Sequence, residues 1–169
     1  MVITINALPT ISDQPTNLTM CANSPAIFTV GATGAGLAYQ WQVSGDAGVT
    51  FTNISATATN ASYTNLVTMP ADNGNHYQVI VTGTCGSVTS APPALLTVYT
   101  PTLTIVRQGA NVVMSWTASC INYFLEEKGD INPLTTWTPV TEPVIPVGNQ
   151  NTVTLPVGST NQFYRLSYP

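Results

Sequence analysis

The sequence predicts an all-β protein made of two β-sandwich domains in tandem, and three observations support this fold class. Threonine and valine, whose β-branched side chains favour strands, are abundant, with 27 Thr and 17 Val among 169 residues. Charged residues make up only 6% of the chain, so the helix formers Lys, Glu and Arg are scarce. Short alternating segments are separated by turns that use many of the 13 Pro and 12 Gly.

The charge content also excludes several classes of function. Three basic residues and a net charge of −4 leave no positive patch for phosphates, so we expect no nucleic-acid partner. No apolar run approaches the roughly 18 residues that a membrane helix needs, so no membrane insertion is expected. One His and seven acidic residues are a poor supply for proton transfer or metal ligation. We therefore expect no catalysis and no cofactor.

Residues 1–8 are predicted to form an N-terminal strand and linker. Val2, Ile3, Thr4 and Ile5 have the composition of a short strand, and Pro9 then stiffens the joint to the next domain. The charged start, long apolar core and cleavage site of a signal peptide are missing from this segment. Two explanations stay open, a signal removed before numbering began or a piece taken from a longer protein.

Residues 9–99 have the pattern of one β-sandwich, with short strands separated by turns. The strand from 37 to 43 places Leu37, Tyr39, Trp41 and Val43 on one face. The other predicted strands cover residues 26–30, 50–54, 61–67, 76–81 and 88–98.

The order of landmarks in this segment resembles that of immunoglobulin-like domains. Trp41 lies on the third strand, a turn from Asp72 to Gly74 precedes Tyr77, and residues 94–98 close the domain. The segments Cys21-Ala-Asn-Ser24, Tyr39-Gln-Trp-Gln42 and Gly83-Thr-Cys-Gly-Ser-Val-Thr-Ser90 are similar to bacterial surface-protein repeats of this family.

The resemblance implies specific roles for these landmarks. It places the Trp in the centre of the sandwich and ties the Tyr hydroxyl back to the preceding corner. The cysteine that antibody domains carry two residues after this Tyr is Val79 here, with Val30 as the expected apolar partner.

Residues 100–169 are predicted to be a second sandwich after a joint at Thr100-Pro101. The segments Met114-Ser-Trp116 and Phe163-Tyr-Arg-Leu166 resemble landmarks of fibronectin type III-like modules. Further predicted strands cover residues 103–106, 123–126, 137–140 and 152–155. The sixth strand is followed by no obvious seventh, so its edge is expected to be open.

Sandwich topology suggests a disulfide between Cys21 and Cys85. Cys21 precedes the second strand and Cys85 follows the sixth, and these strands face each other across the sheets. Such a bridge would place the protein in an oxidising compartment, outside the cell or on its surface. Cys120 is expected to be a small buried hydrophobe or, alternatively, an intermolecular link.

Four other positions are candidates for chemistry. His76 is the sole possible general base and is interpreted as a surface residue beside a turn. Glu126 and Glu127 cannot flank one bond because neighbouring strand residues face opposite sides, so these carboxylates are expected in a solvated turn. Asp46 could contribute to a Ca²⁺ site, but no second carboxylate is near it in the sequence.

Two kinds of sugar contact are considered. Asn17, Asn53 and Asn60 each begin a glycosylation acceptor pattern, which arises easily by chance in a chain rich in Asn and Thr. Trp137 is the best candidate for a sugar-binding platform, although packing over the core of the second module is the favoured interpretation.

These observations predict a non-enzymatic structural or adhesion module of a bacterial surface or secreted protein. The alternative is a carbohydrate-binding accessory module of a secreted hydrolase. Expected partners are other copies of the chain or neighbouring surface-protein domains, with glycans as a further possibility. Residues 2–5 of one copy could add to the open edge at residues 162–167 of the next, joining copies head to tail. The alternative is that this N-terminal strand is the tail of a preceding repeat and has no role in assembly.

Overall fold

A computed structural model describes residues 7–55, 58–120 and 122–168. The chain divides into two compact units, Met1–Tyr99 and Thr100–Pro169. The described residues form strands, turns and one short 3-10 turn at Pro70–Asp72. The prediction of an all-β protein with β-sandwiches in tandem is confirmed.

The described residues of the first unit form ten strands. They are β1 (Thr10–Asp13), β2 (Leu18–Cys21), β3 (Ala26–Thr29), β4 (Gly31–Thr33), β5 (Ala38–Ser44), β6 (Thr52–Asn53), β7 (Ser62–Asn65), β8 (His76–Gly83), β9 (Gly86–Thr89) and β10 (Ala94–Tyr99). One layer has the order β2-β10-β8-β5-β6, with β9 also paired to β8, and the other layer consists of the pairs β1-β4 and β3-β7. Strands β2 and β10 pair in parallel.

The aromatic core of this unit is built around Trp41, which is fully buried. Its indole Nε1–H donates to the Asn60 carbonyl oxygen at 2.9 Å. The Phe28 ring stacks on the Tyr77 ring with 4.4 Å between centroids. Val79 belongs to the same buried cluster. The structure therefore places the predicted central Trp as the family resemblance implied.

The Tyr77 hydroxyl contacts the corner that precedes its strand. It bonds with the side chains of Asn75 and Asn65, and burial raises the pKa of this phenol. The Asp72 carboxylate completes the corner by accepting the Met69 backbone N–H at 2.8 Å and an Asn65 amide N–H at 3.1 Å. The corner thus satisfies its own polar groups where the chain turns between layers.

The described residues of the second unit form seven strands in two sheets. They are β11 (Thr104–Gln108), β12 (Asn111–Thr117), β13 (Phe124–Lys128), β14 (Thr138–Pro139), β15 (Ile145–Val147), β16 (Gln150–Pro156) and β17 (Phe163–Ser167). One sheet has the order β11-β12-β16-β15 and the other has the order β14-β13-β17. Their inner faces enclose a small core of five buried side chains, Met114, Trp116, Leu125, Val153 and Leu155.

Two strand boundaries differ from the prediction because of proline. The expected strand at 88–98 is interrupted between β9 and β10, where Pro92 and Pro93 cannot donate to a ladder. Strand β15 was not predicted because Pro146 lies at its centre, yet it pairs with β16 as an edge strand. Edge positions tolerate proline because the missing N–H can face solvent.

Candidate interaction site

The second unit has an open side where β11 and β17 lie at the ends of their sheets. Within the described part of the chain, β17 pairs with β13 on one side and β11 pairs with β12 on one side. Alternation turns Tyr164 and Leu166 of β17 toward the core, where both pack against its buried cluster. On β11, Ile105 pairs with the buried Met114 and faces inward in the same way.

Two cavities of about 440 and 570 Å³ lie along this open side. Ile105, Gln162 and Tyr164 line both of them. Val112 and Leu155 add an aliphatic wall to the smaller cavity. The space is therefore bounded by residues from both sheets, and much of its lining is apolar.

Charged groups surround the smaller cavity. Glu127, Glu142 and Arg107 contribute to its lining. Partial burial and then the charges of Glu127 and Glu142 raise the pKa of the Tyr164 phenol, so this hydroxyl stays protonated at neutral pH. The cavity thus offers an apolar interior with a neutral hydroxyl and a charged boundary. Such a groove suits an extended apolar segment that brings its own backbone hydrogen bonds.

The carboxylates predicted to lie in a solvated turn occupy a strand instead. Glu126 and Glu127 belong to β13, and the Glu126 side chain is only 11% exposed. The Arg165 Nε–H donates to Glu126 Oε2 at 2.7 Å. The two carboxylates do face opposite sides, as strand alternation requires, with Glu127 at the cavity. Asp130 lies in a turn, where it accepts the Asn132 backbone N–H at 3.0 Å.

Trp137 lies between two cationic groups rather than over the core. The Arg165 guanidinium is 4.6 Å from the centroid of a Trp137 ring, and the Lys128 ammonium is 5.7 Å from one. Trp137 is not among the residues that pack against the buried cluster of this unit. The favoured interpretation of Trp137 as a cap on the core is therefore wrong. Cations also occupy ring surface that a sugar would need, and the glycan alternative stays a prediction.

The Asp46 loop does not have the character of a calcium site. The Asp46 carboxylate accepts hydrogen bonds from the Ser44 hydroxyl at 2.6 Å and from the Thr50 hydroxyl at 2.5 Å. It also accepts the backbone N–H groups of Val49 and Thr50. These donors hold the pKa of Asp46 well below its usual range, with the Ser44 hydroxyl contributing most. Gly48 adopts a left-handed φ of 85°, which permits the tight turn.

We expect Asp46→Asn to destabilise the first unit at neutral pH and progressively less in acid. A depressed folded-state pKa gives stability that is present above the unfolded pKa of about 3.9 and is lost as pH falls through the folded value. Thermal unfolding at several pH values should show the difference between wild type and variant shrinking below about pH 4. Asp13→Asn, at a carboxylate that accepts the Ser12 hydroxyl, is the control and should show a smaller difference. An Asp46→Asn effect independent of pH would contradict this account.

The predicted Cys21–Cys85 disulfide is wrong. Cys21 and Cys120 are the disulfide-bonded cysteines, whereas Cys85 is an exposed thiol. Strand register explains the error, since Cys21 pairs with Tyr99 at the end of β10. Strand β8 runs antiparallel to β10 and leads away from that end toward Cys85. Cys120 is buried as expected, but it does not act simply as a small hydrophobe.

The remaining sequence candidates belong to the first unit or lie outside the described residues. Asn17, Asn53 and Asn60 are exposed in the first unit. His76 belongs to β8 of that unit, and its Nδ1 lies 3.0 Å from the Gly74 carbonyl oxygen. The candidate assembly strand Val2–Ile5 lies outside the described residues. Its role therefore stays a prediction.

The described residues include neither a metal-binding cluster nor a membrane-spanning helix. No group of three or more His, Cys, Asp or Glu side chains in this part of the chain is placed to hold a metal ion. The same residues include no helix long and apolar enough to cross a membrane. Of the features described above, the groove on the open side is best suited to bind a partner segment. The sequence predicted an open edge at residues 162–167 but not the residues that line the groove.

The chain matches the model of one protein family and is similar in fold to several solved structures. A family model described as a domain of unknown function, DUF8696, matches residues 10–100. No curated protein matches the chain.

Among solved structures, titin domains z1z2 in complex with telethonin share 15% identity over 98% of this chain and 96% of that chain, with a TM-score of 0.47. The titin M10–obscurin-like 1 Ig complex shares 16% identity over 56% of this chain and 97% of that chain, with a TM-score of 0.43. The complex of Dpr2 Ig1-Ig2 with DIP-Theta Ig1-Ig3 shares 13% identity over 96% of this chain and 64% of that chain, with a TM-score of 0.45.

Proposed function

We propose that this chain, which belongs to the DUF8696 family through residues 10–100, is a non-enzymatic structural and adhesion module of a bacterial surface or secreted protein. Its surface supports this role, because Thr, Asn, Ser and Gln stay hydrated without the charge that nucleic acids or acid–base chemistry require. The disulfide-bonded state of Cys21 and Cys120 supports a site of action in an oxidising environment outside the cytoplasm.

The second unit is proposed to be a fibronectin type III-like module in which β17 offers an open sheet edge. Two sheets, β11-β12-β16-β15 and β14-β13-β17, around one buried cluster support this proposal. Within the described residues β17 pairs with β13 on one side, so backbone N–H and C=O groups on its other side are ready to pair with an added segment.

The proposed function of this open edge is head-to-tail assembly by strand donation. The single observation that carries the proposal is the groove beside β17, where two cavities share Ile105, Gln162 and Tyr164 as lining residues. The proposed donor is Val2–Ile5 of another copy, an uncharged segment rich in β-branched residues. Such a contact is heterologous and does not close on itself, so it would build an open polymer.

We expect deletion of residues 2–6 to convert assembled protein into monomers. Size-exclusion chromatography with light scattering over a range of concentrations should show multimers for the full chain and one monomeric species for the deletion variant. Ile145→Asn is the matched control, because Ile145 is an exposed apolar residue on the edge strand β15 of the other sheet.

The control variant should assemble as the full chain does. A deletion variant that still assembles like the full chain would overturn strand donation by this segment. A full chain that stays monomeric at every concentration would overturn the proposed assembly itself.

A further inference from the structure

We infer that the groove beside β17 takes residues 2–6 of a second copy antiparallel to β17, with Ile5 filling the cavities next to Tyr164. This inference rests on the proposed function. It adds which face of the donated strand points into the core, where along β17 the strand lies, and in which direction it runs. Each of these three properties follows from a separate feature of the second unit.

The facing of β17 determines which donor side chains enter the core. Tyr164 and Leu166 point inward and pack against the buried cluster. Arg165 points outward, where it bonds Glu126 and lies over Trp137. In an added strand, the residues directly opposite Tyr164 and Leu166 share their face of the sheet. Two donor side chains at positions i and i+2 must therefore point into the sandwich.

The donor sequence offers one strongly apolar pair with this spacing. Ile3 and Ile5 lie on one face of an extended segment, while Val2, Thr4 and Asn6 lie on the other. Turning the isoleucine face inward buries the two largest aliphatic side chains and leaves the Thr4 hydroxyl and the Asn6 amide on the solvated side. The opposite facing would leave both isoleucine side chains in water and would bury only the smaller Val2 and Thr4 side chains with Asn6.

The unfilled space is concentrated at the start of β17. Both cavities are lined by Gln162 and Tyr164, and neither is lined by Leu166. A donor side chain opposite Tyr164 therefore meets more empty volume than one opposite Leu166. Filling this volume removes Ile105, which is 48% exposed, from water as well.

The direction follows from the other pairs of the unit. Every described strand pair of the second unit is antiparallel. An antiparallel donor continues this sheet with hydrogen bonds perpendicular to the strands, which is the slightly more stable ladder per residue. In this direction Ile5 lies opposite Tyr164 and Ile3 opposite Leu166. Val2 then lies opposite Ser167, and Asn6 lies opposite Phe163.

The facing is tested by matched asparagine variants. Ile5→Asn places a polar amide at the cavities, and we expect the concentration for half-maximal assembly to rise by about tenfold or more, since an isoleucine side chain is no longer buried. Thr4→Asn makes the same change on the solvated face and should shift that concentration by less than about twofold. A large effect of Thr4→Asn with a neutral Ile5→Asn would overturn the inferred facing.

The direction is tested by cysteine cross-linking between copies in a Cys85→Ser background. Residues directly opposite in antiparallel strands have Cα atoms about 4.5–5.5 Å apart, which is within disulfide range. Val2→Cys combined with Ser167→Cys should therefore give covalent multimers on non-reducing gels. Val2→Cys combined with Phe163→Cys should give no covalent multimers. A parallel donor would instead cross-link the Val2→Cys and Phe163→Cys pair and not the Val2→Cys and Ser167→Cys pair.

The outcomes separate this inference from the function on which it rests. Assembly that depends on residues 2–6 but gives no cross-link with either pair would overturn the register and direction while leaving strand donation in place. Assembly that does not need residues 2–6 would overturn both.

Discussion

Replacing Trp41 with alanine should lower the free energy of unfolding of the first unit by about 3–5 kcal/mol, the usual cost of emptying a buried aromatic site. Trp41 is fully buried, and its ring lies 6.3 Å from the Phe28 ring and 6.2 Å from the Tyr63 ring, centroid to centroid. The substitution also removes the indole donor to the Asn60 carbonyl oxygen. Neighbouring strands cannot close fully over the space, because their ladders hold the layers apart.

Differential scanning calorimetry of the full chain should show the effect in the transition of the first unit. A domain of this size loses roughly 4–8 °C in Tm per kcal/mol, so the shift should exceed about 10 °C. Trp137→Ala is the control, since Trp137 is partly exposed and belongs to the second unit. It should leave the first transition in place. An equal shift from both variants would contradict the assignment of Trp41 to the centre of the first core.

Replacing Arg165 with methionine should destabilise the second unit by about 1–3 kcal/mol, because it leaves a nearly buried carboxylate without its charged donor. Glu126 is 11% exposed, whereas Arg165 is 48% exposed, so most of the cost lies in the desolvated Glu126. The double variant Arg165→Met with Glu126→Gln removes the charge as well. It should therefore be more stable than the Arg165→Met single variant.

Chemical denaturation of the two variants and the wild type measures this difference. Arg107→Met is the matched control, because the exposed Arg107 donates to the Gly109 carbonyl oxygen and forms no ion pair with any residue that the structure describes. It should change stability by no more than about 0.5 kcal/mol. A double variant less stable than the single Arg165→Met variant would show that the Glu126 carboxylate stabilises the unit even without Arg165, and would contradict this account.

Several features of the fold could be predicted because they depend on neighbouring residues. Alternation in residues 37–43 placed Trp41 and Val43 on one face, and the structure buries Trp41 at the centre of the first core. The segment ending at Trp116 likewise became a buried strand, β12. Period-two alternation is a local property, so no knowledge of distant pairing was needed.

Other features depend on register between distant strands. The cysteine pairing was mispredicted because the family order of strands does not specify at which end of the sandwich Cys21 and Cys85 lie. The role of Glu126 was mispredicted for a similar reason, since its partner Arg165 is opposite it only through the pairing of β13 with β17. A shift of one residue in the register between β13 and β17 would have turned Glu126 to the other face of the sheet.

The sequence by itself determined that this protein is all-β and that its strands place tryptophans in two cores. These properties follow from side-chain shape and from alternation along a few residues. Only the tertiary structure decided that Ile105, Gln162 and Tyr164 line one groove, because they come from strands and a loop far apart in the chain. Pairing of distant strands brings such residues together, and no local pattern encodes that register.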